Sequence, residues 1–81
     1  MSNHNKLKQL LLEIFLLDAE EFHFGLNRSD IDTWDSLGVV SLAAGIEEVF
    51  GCHLAPDEAA SIQSIEQLIA TLGAKGIAFG E

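Results

Sequence analysis

The run Ser36-Leu37-Gly38-Val39-Val40-Ser41-Leu42-Ala43-Ala44-Gly45-Ile46-Glu47-Glu48-Val49-Phe50 organises everything around it. At about 100° per residue, Val39, Leu42, Ala43, Ile46 and Phe50 share one broad face, the apolar stripe of a helix that closes a core. Leu37, Val40, Ala44, Glu47 and Glu48 fall on the opposite side and make a mixed apolar and acidic stripe that points outward. Asp35 or Ser36 suits the N-cap, and Gly51 stands where a left-handed terminal residue belongs. The pattern predicts a helix over 36–50. Its outward stripe suits docking against a partner with an apolar centre and a basic rim.

On the N-terminal side, Leu7, Leu10, Leu11, Ile14 and Leu17 recur at helical spacing and predict a helix over 5–17, with Asn3 or Asn5 as its cap. Residues 18–35 lose that period and read as a long connection. Phe22, Phe24, Leu26, Ile31 and Trp34 give it enough apolar surface to lie against the core. Long connections without regular structure are uncommon in compact domains and are often functional.

On the C-terminal side, Pro56 precedes a short helix over 57–61. A further helix spans 64–73, with Ser64 and Gln67 spaced as a capping box. Ile65, Leu68, Ile69 and Leu72 are its inward positions, and Gly73 and Gly76 are its stops. A tail over 74–81 follows, in which Ile77 and Phe79 are the residues able to dock back. No segment reads as a strand. The expected fold is all-α, a small up-down bundle of three main helices plus one short helix, in a single domain over 1–81.

The chain has 81 residues, 13 of them acidic and 4 basic, for a formal net charge of −9, and 48% are hydrophobic. That apolar content excludes disorder through low hydrophobicity. The scarcity of Lys and Arg argues against nucleic-acid binding, which draws its sequence-independent affinity from phosphate neutralisation. Leu10 to Leu17 is interrupted by Glu13 and too short to span a bilayer, so membrane insertion is not expected. The opening Met-Ser-Asn-His-Asn-Lys lacks a signal-peptide cleavage pattern, and the single Cys52 can form no internal disulfide. Both point to a cytoplasmic protein. A domain this small has little room for a deep catalytic cleft beside its core. It reads as a protein on which others act.

The most informative segment is Asp30-Ile31-Asp32-Thr33-Trp34-Asp35-Ser36-Leu37-Gly38. A serine directly after an aspartate, where an amphipathic helix begins, places a hydroxyl at a positive dipole end that favours a phosphate. His23 and His53 are distant in sequence, so no base for a nucleophilic triad is visible. The plainer reading is a serine that simply caps the helix. Asp30, Asp32 and Asp35 do not form an EF-hand loop, because the sixth and twelfth positions from Asp30 hold Asp35 and Ser41. His4, His23, His53 and Cys52 lack metal-ligand spacing, and no metal is expected. Cys52 reads as a small filler at a helix end.

Asp35-Ser36-Leu37 resembles the attachment motif of acyl carrier proteins and related thiolation domains. The tripeptide alone is common. Its setting is specific: a helix, a long loop, a helix running to Glu47-Glu48-Val49-Phe50-Gly51, then Pro56-Asp57-Glu58-Ala59 and a helix start at Ser64-Ile65-Glu66. The resemblance spans about residues 5–72.

The resemblance implies that Ser36, flanked by Asp35 and Leu37, carries 4′-phosphopantetheine as a phosphodiester. The arm would come from coenzyme A through a phosphopantetheinyl transferase and Mg²⁺, and would hold acyl groups as thioesters. It implies a non-catalytic, monomeric carrier in fatty acid or specialised lipid synthesis. Its partners would be the transferase and acyl-transfer, ligase or condensing enzymes with basic docking patches. Leu37, Val40, Ala44, Glu47 and Glu48 match the family's recognition face. Leu42, Ala43, Ile46, Leu54, Ala59, Ile62 and Leu68 match positions that shelter a short acyl chain, and ordinary packing accounts for them equally. Gly38 and Ser41 stand where carriers of fatty acid synthesis commonly have acids, which favours a specialised stand-alone carrier. An aminoacyl or peptidyl carrier and a small acidic helical adaptor without a prosthetic group are the alternatives.

Overall fold

The computed structural model describes residues 2–79. Among the described residues, four helices in chain order make the expected all-α bundle: α1 (Asn3–Phe15), α2 (Ser36–Phe50), α3 (Pro56–Ser61) and α4 (Ile65–Ala74). No helix among the described residues is long and apolar enough to cross a membrane.

α1 starts and stops two residues earlier than the apolar period suggests. Ser2, not Asn3 or Asn5, is the cap, its hydroxyl accepting the Asn5 N–H at 3.2 Å. The far end is set by Thr33, whose hydroxyl donates to the Phe15 carbonyl at 2.7 Å and satisfies one of the helix's orphan acceptors. The chain leaves through Leu16 in the left-handed region, φ 56° and ψ 42°, so Leu16 and Leu17 lie outside the helix. Leu7, Leu10, Leu11 and Phe15 form its buried face.

The connection from α1 to α2 is ordered by its own contacts. Arg28–Asp30 forms a 3₁₀ turn in which the Asp30 carboxylate accepts the Asn27 N–H at 2.9 Å. Arg28 then fastens the turn to both sides. Its Nε donates to the Trp34 carbonyl at 3.0 Å, and its backbone N–H donates to the Gln63 carbonyl at 2.7 Å. Ile65 N–H to Leu26 carbonyl (3.1 Å) and an isolated antiparallel bridge between Asn27 and Ser64 complete the join. That bridge is the only strand-like pairing among the described residues. Ile31 and Trp34 are buried, and the Trp34 ring stacks on Phe15 at 5.0 Å and 24°.

Pro56 begins α3 one residue before the expected start. Ser64 caps α4, its hydroxyl accepting the Gln67 N–H at 3.0 Å. The reciprocal bond of the expected capping box is displaced, because the Gln67 side chain accepts from the Gln63 N–H at 3.0 Å instead. α4 runs through Gly73 to Ala74, and Gly76 supplies the positive φ of 98° that turns the chain back. Lys75 reaches across to α3 and pairs with Glu58 at 3.0 Å. That ammonium, helped by the Ala55 N–H, holds the Glu58 carboxyl below its ordinary 4.5.

The tail docks as far as it is described. Asn3 Nδ2 donates to the Ala78 carbonyl at 2.7 Å. His4 stands edge-on to Phe24 and Phe79, and Phe79 also meets Phe50 at 6.1 Å. Gly80 and Glu81, the end of the expected tail, lie outside the described residues.

One apolar cluster joins all of this. Leu7 and Leu11 of α1, Leu42 and Ile46 of α2, Ala59 of α3, and Ile65, Leu68 and Leu72 of α4 are fully enclosed. Gly45 lets α1 approach α2 closely, since a Cβ there would lie 2.8 Å from Leu10 and 3.0 Å from Ile14.

Candidate functional site

The first turn of α2 is built around Asp35. It adopts extended backbone, and its Oδ1 accepts the Gly38 N–H at 2.9 Å, so Asp35 is the N-cap. Ser36 therefore occupies the first helical position and is relieved of capping duty. Its side chain is exposed, and its hydroxyl has no hydrogen-bond partner among the described residues. The backbone N–H groups of Ser36 and Leu37, two of the helix's unpaired donors, likewise find no acceptor there. An exposed hydroxyl beside free amides at the positive end of a fifteen-residue helix is chemically suited to a phosphate ester.

Gly38 follows directly from this geometry. It is buried, and a Cβ at that position would collide with the Thr33 carbonyl oxygen and press on the Phe15 ring at 3.2 Å. An acidic side chain cannot occupy position 38 while the loop keeps this path. The charge missing from the first turn is thus a consequence of how closely the loop crosses the helix.

Every residue of the expected outward stripe lies on the surface. Leu37 is 78% and Val40 66% exposed, and Ala44, Glu47 and Glu48 are exposed beside them. Ser41 is exposed and uncharged, so the half of the stripe nearest Ser36 is apolar and the acids lie at its far end. Asp30, Asp32 and Asp35, the loop aspartates nearest Ser36, divide their work. Asp30 and Asp35 cap turns, and Asp32 faces solvent.

Leu42, Ile46, Leu54, Ala59, Ile62 and Leu68 come together in the shared core, none more than 3% exposed, with Ala43 at its margin. They are packed against one another. A surface groove of about 400 Å³ does open between α1 and α2, but Lys6, Gln9, Leu10, Glu13 and Val49 line it, and none of those seven residues contributes.

Two features of this region were not read from the sequence. His53 Nδ1 lies 3.3 Å from Glu47 Oε2, brought back by the left-handed turn at Gly51. That turn was itself legible; its consequence for a residue six positions on was not. The other is Leu16, 80% exposed and left-handed, which helical periodicity had placed inside α1.

A family model described as a phosphopantetheine attachment site matches residues 5–72, from α1 through most of α4. The chain belongs to the acyl carrier protein family. This carrier is 29% identical over 66 residues to an acyl carrier protein of Lactobacillus johnsonii, an alignment covering 80% of this chain and 81% of that one. No solved structure matches it significantly. The family's covalent cofactor is 4′-phosphopantetheine. The start of α2 fits such a group on two counts: an unengaged surface hydroxyl, and unclaimed amides at the same helix end.

Proposed function

We propose that Ser36 is the attachment residue and that the carrier's cargo is acyl. The observation that carries this reading is the division of labour in the first turn of α2. Asp35 takes the cap, which leaves the Ser36 hydroxyl exposed and unbonded. Asp35 fixes the serine's position through its bond to Gly38, and Leu37 offers an apolar contact beside it. When bound, the arm supplies a terminal thiol that holds the cargo as a thioester. The protein itself catalyses nothing. It presents Ser36 to the phosphopantetheinyl transferase, and later its cargo to acyl-transfer, ligase or condensing enzymes.

Recognition falls to the outward face of α2. Leu37, Val40 and Ala44 give partners an apolar strip, and Glu47 and Glu48 meet basic residues at its end. The core side chains around Leu42 and Ile46 are where a short acyl chain would find apolar shelter, by parting contacts that are closed here. The acyl assignment is supported by likeness to the Lactobacillus johnsonii protein. The reading places the carrier as a monomer in the cytoplasm, in keeping with the unpaired Cys52.

Loading tests the proposal. The chain is converted with coenzyme A and a broad-specificity transferase, then offered acyl-activating and amino-acid-activating ligases in parallel. Acyl adducts that hydroxylamine removes, and that Ser36→Ala never forms, are expected. Adducts formed only with amino acids would replace the acyl reading with an aminoacyl one.

A further inference from the structure

We propose that Leu16 is a docking residue, which with Leu37 and Val40 forms an apolar collar at the Ser36 end of the bundle on which the phosphopantetheinyl transferase seats. The inference rests on Ser36 being the attachment residue.

Leu16 is unfavourable for the fold twice over. It is the one non-glycine residue among those described with positive φ, a region that crowds the Cβ of an L-residue. Its side chain is also 80% exposed, the most exposed large hydrophobic among the described residues, so little burial offsets that strain. The chain uses glycine where the same geometry ends α2, at Gly51 (φ 66°), and again at Gly76. A leucine kept where glycine would relax the backbone points to a use outside the fold.

Its position says where that use lies. The Phe15 carbonyl, in the same peptide unit as the Leu16 N–H, is bonded by Thr33, three residues before Ser36. The Phe15 ring lies against Gly38, in the first turn of α2. Leu16 therefore emerges at the same end of the bundle as Ser36, Leu37 and Val40. Those two side chains are the next most exposed large hydrophobics, at 78% and 66%.

Charge selects the occupant. Asp32 and Asp35 border the collar on one side, and Glu47 and Glu48 close the α2 stripe beyond it. A second copy of this chain would bring its own net charge of −9 to that surface, whereas a protein with an apolar knob and basic rim would be attracted.

Steady-state modification of the apo chain by a broad-specificity transferase, with coenzyme A saturating, tests this. Leu16→Gly should hold or raise Tm, because the backbone is relaxed. The same variant should raise KM for the carrier roughly three- to tenfold, with kcat within about twofold. Leu16→Asn, polar and tolerant of left-handed backbone, should raise KM alike and so separate the lost side chain from added flexibility. Unchanged KM in both variants overturns the proposal, as does a Tm lowered in both, which would assign Leu16 to the fold. A concentration-dependent dimer of the wild type that Leu16→Gly abolishes would give the collar to a second copy instead. A folded wild type that accepts no arm at all overturns the attachment reading first, and this one with it.

Discussion

The two faces of α2 share a backbone and differ in almost everything else. Val39, Leu42 and Ile46 are enclosed by the other helices, and Gly38 and Gly45 let the loop and α1 come within contact distance. Ninety to a hundred and eighty degrees around the same turns, Leu37 and Val40 stand in solvent with no partner to cover them. Burial of an aliphatic side chain is worth about 1.5–3 kcal/mol, and the second face forgoes it. This helix therefore meets two demands: one face completes the fold, and the other, in the proposed reading, stays available for proteins that act on Ser36.

Deleting side chains from each face gives the widest separation. Leu42→Ala should cost about 2–5 kcal/mol, whereas Leu37→Ala should stay within about 0.5 kcal/mol. Urea unfolding followed by the fluorescence of Trp34, the single tryptophan, measures both. Comparable losses would erase the contrast. Gly38→Ala tests the point where the faces meet. A methyl group directed at the Thr33 carbonyl should destabilise by about 1–3 kcal/mol, although an exposed helical Gly→Ala change ordinarily helps.

Reversing charge on the outward face should leave the fold alone and disturb docking. Glu47→Lys with Glu48→Lys should raise the transferase KM by about tenfold at low salt, narrowing as ionic strength rises, with Tm almost unmoved. An unchanged KM would remove the acids from the docking surface. The smallest effect comes from a pair that belongs to neither face. Lys75 and Glu58 join α4 to α3, and the Glu58 carboxyl titrates below 4.5 in the folded state. Its contribution is therefore fully present above the unfolded value and lost as pH falls from about 4.5 through the lowered folded value. Glu58→Gln should flatten Tm slightly across that acid window and leave transferase kinetics at neutral pH unchanged. A KM shift at neutral pH would mean that the docking surface extends to α3.

The parts of the molecule governed by local chemistry were legible in the sequence. The α2 boundaries follow from Asp35, Gly51 and a clean apolar period, and Ser64 announces the start of α4. What escaped reading depends on residues distant in sequence. α1 stops at Phe15 because Thr33 captures its carbonyl, and no period within 5–17 contains that information. The loop holds its path through Arg28, whose partners are Trp34 on one side and Gln63 on the other. Gly38 looked like a missing acid and proved to be a steric requirement, visible only once Thr33 lies across it. The outward stripe was readable because helical spacing places it, whereas Asp35-Ser36-Leu37 stood out only through its resemblance to a known family's motif. Leu16 was not readable, since an exposed left-handed leucine obeys no local preference.

Fragment mass spectrometry of the modified chain tests most directly whether Ser36 carries the arm. After treatment with coenzyme A and transferase, one phosphopantetheinyl increment is expected, confined to fragments containing Ser36 and absent from Ser29 and Ser41 on either side. An increment located on another serine, or none on a chain verified as folded, would contradict the assignment to Ser36.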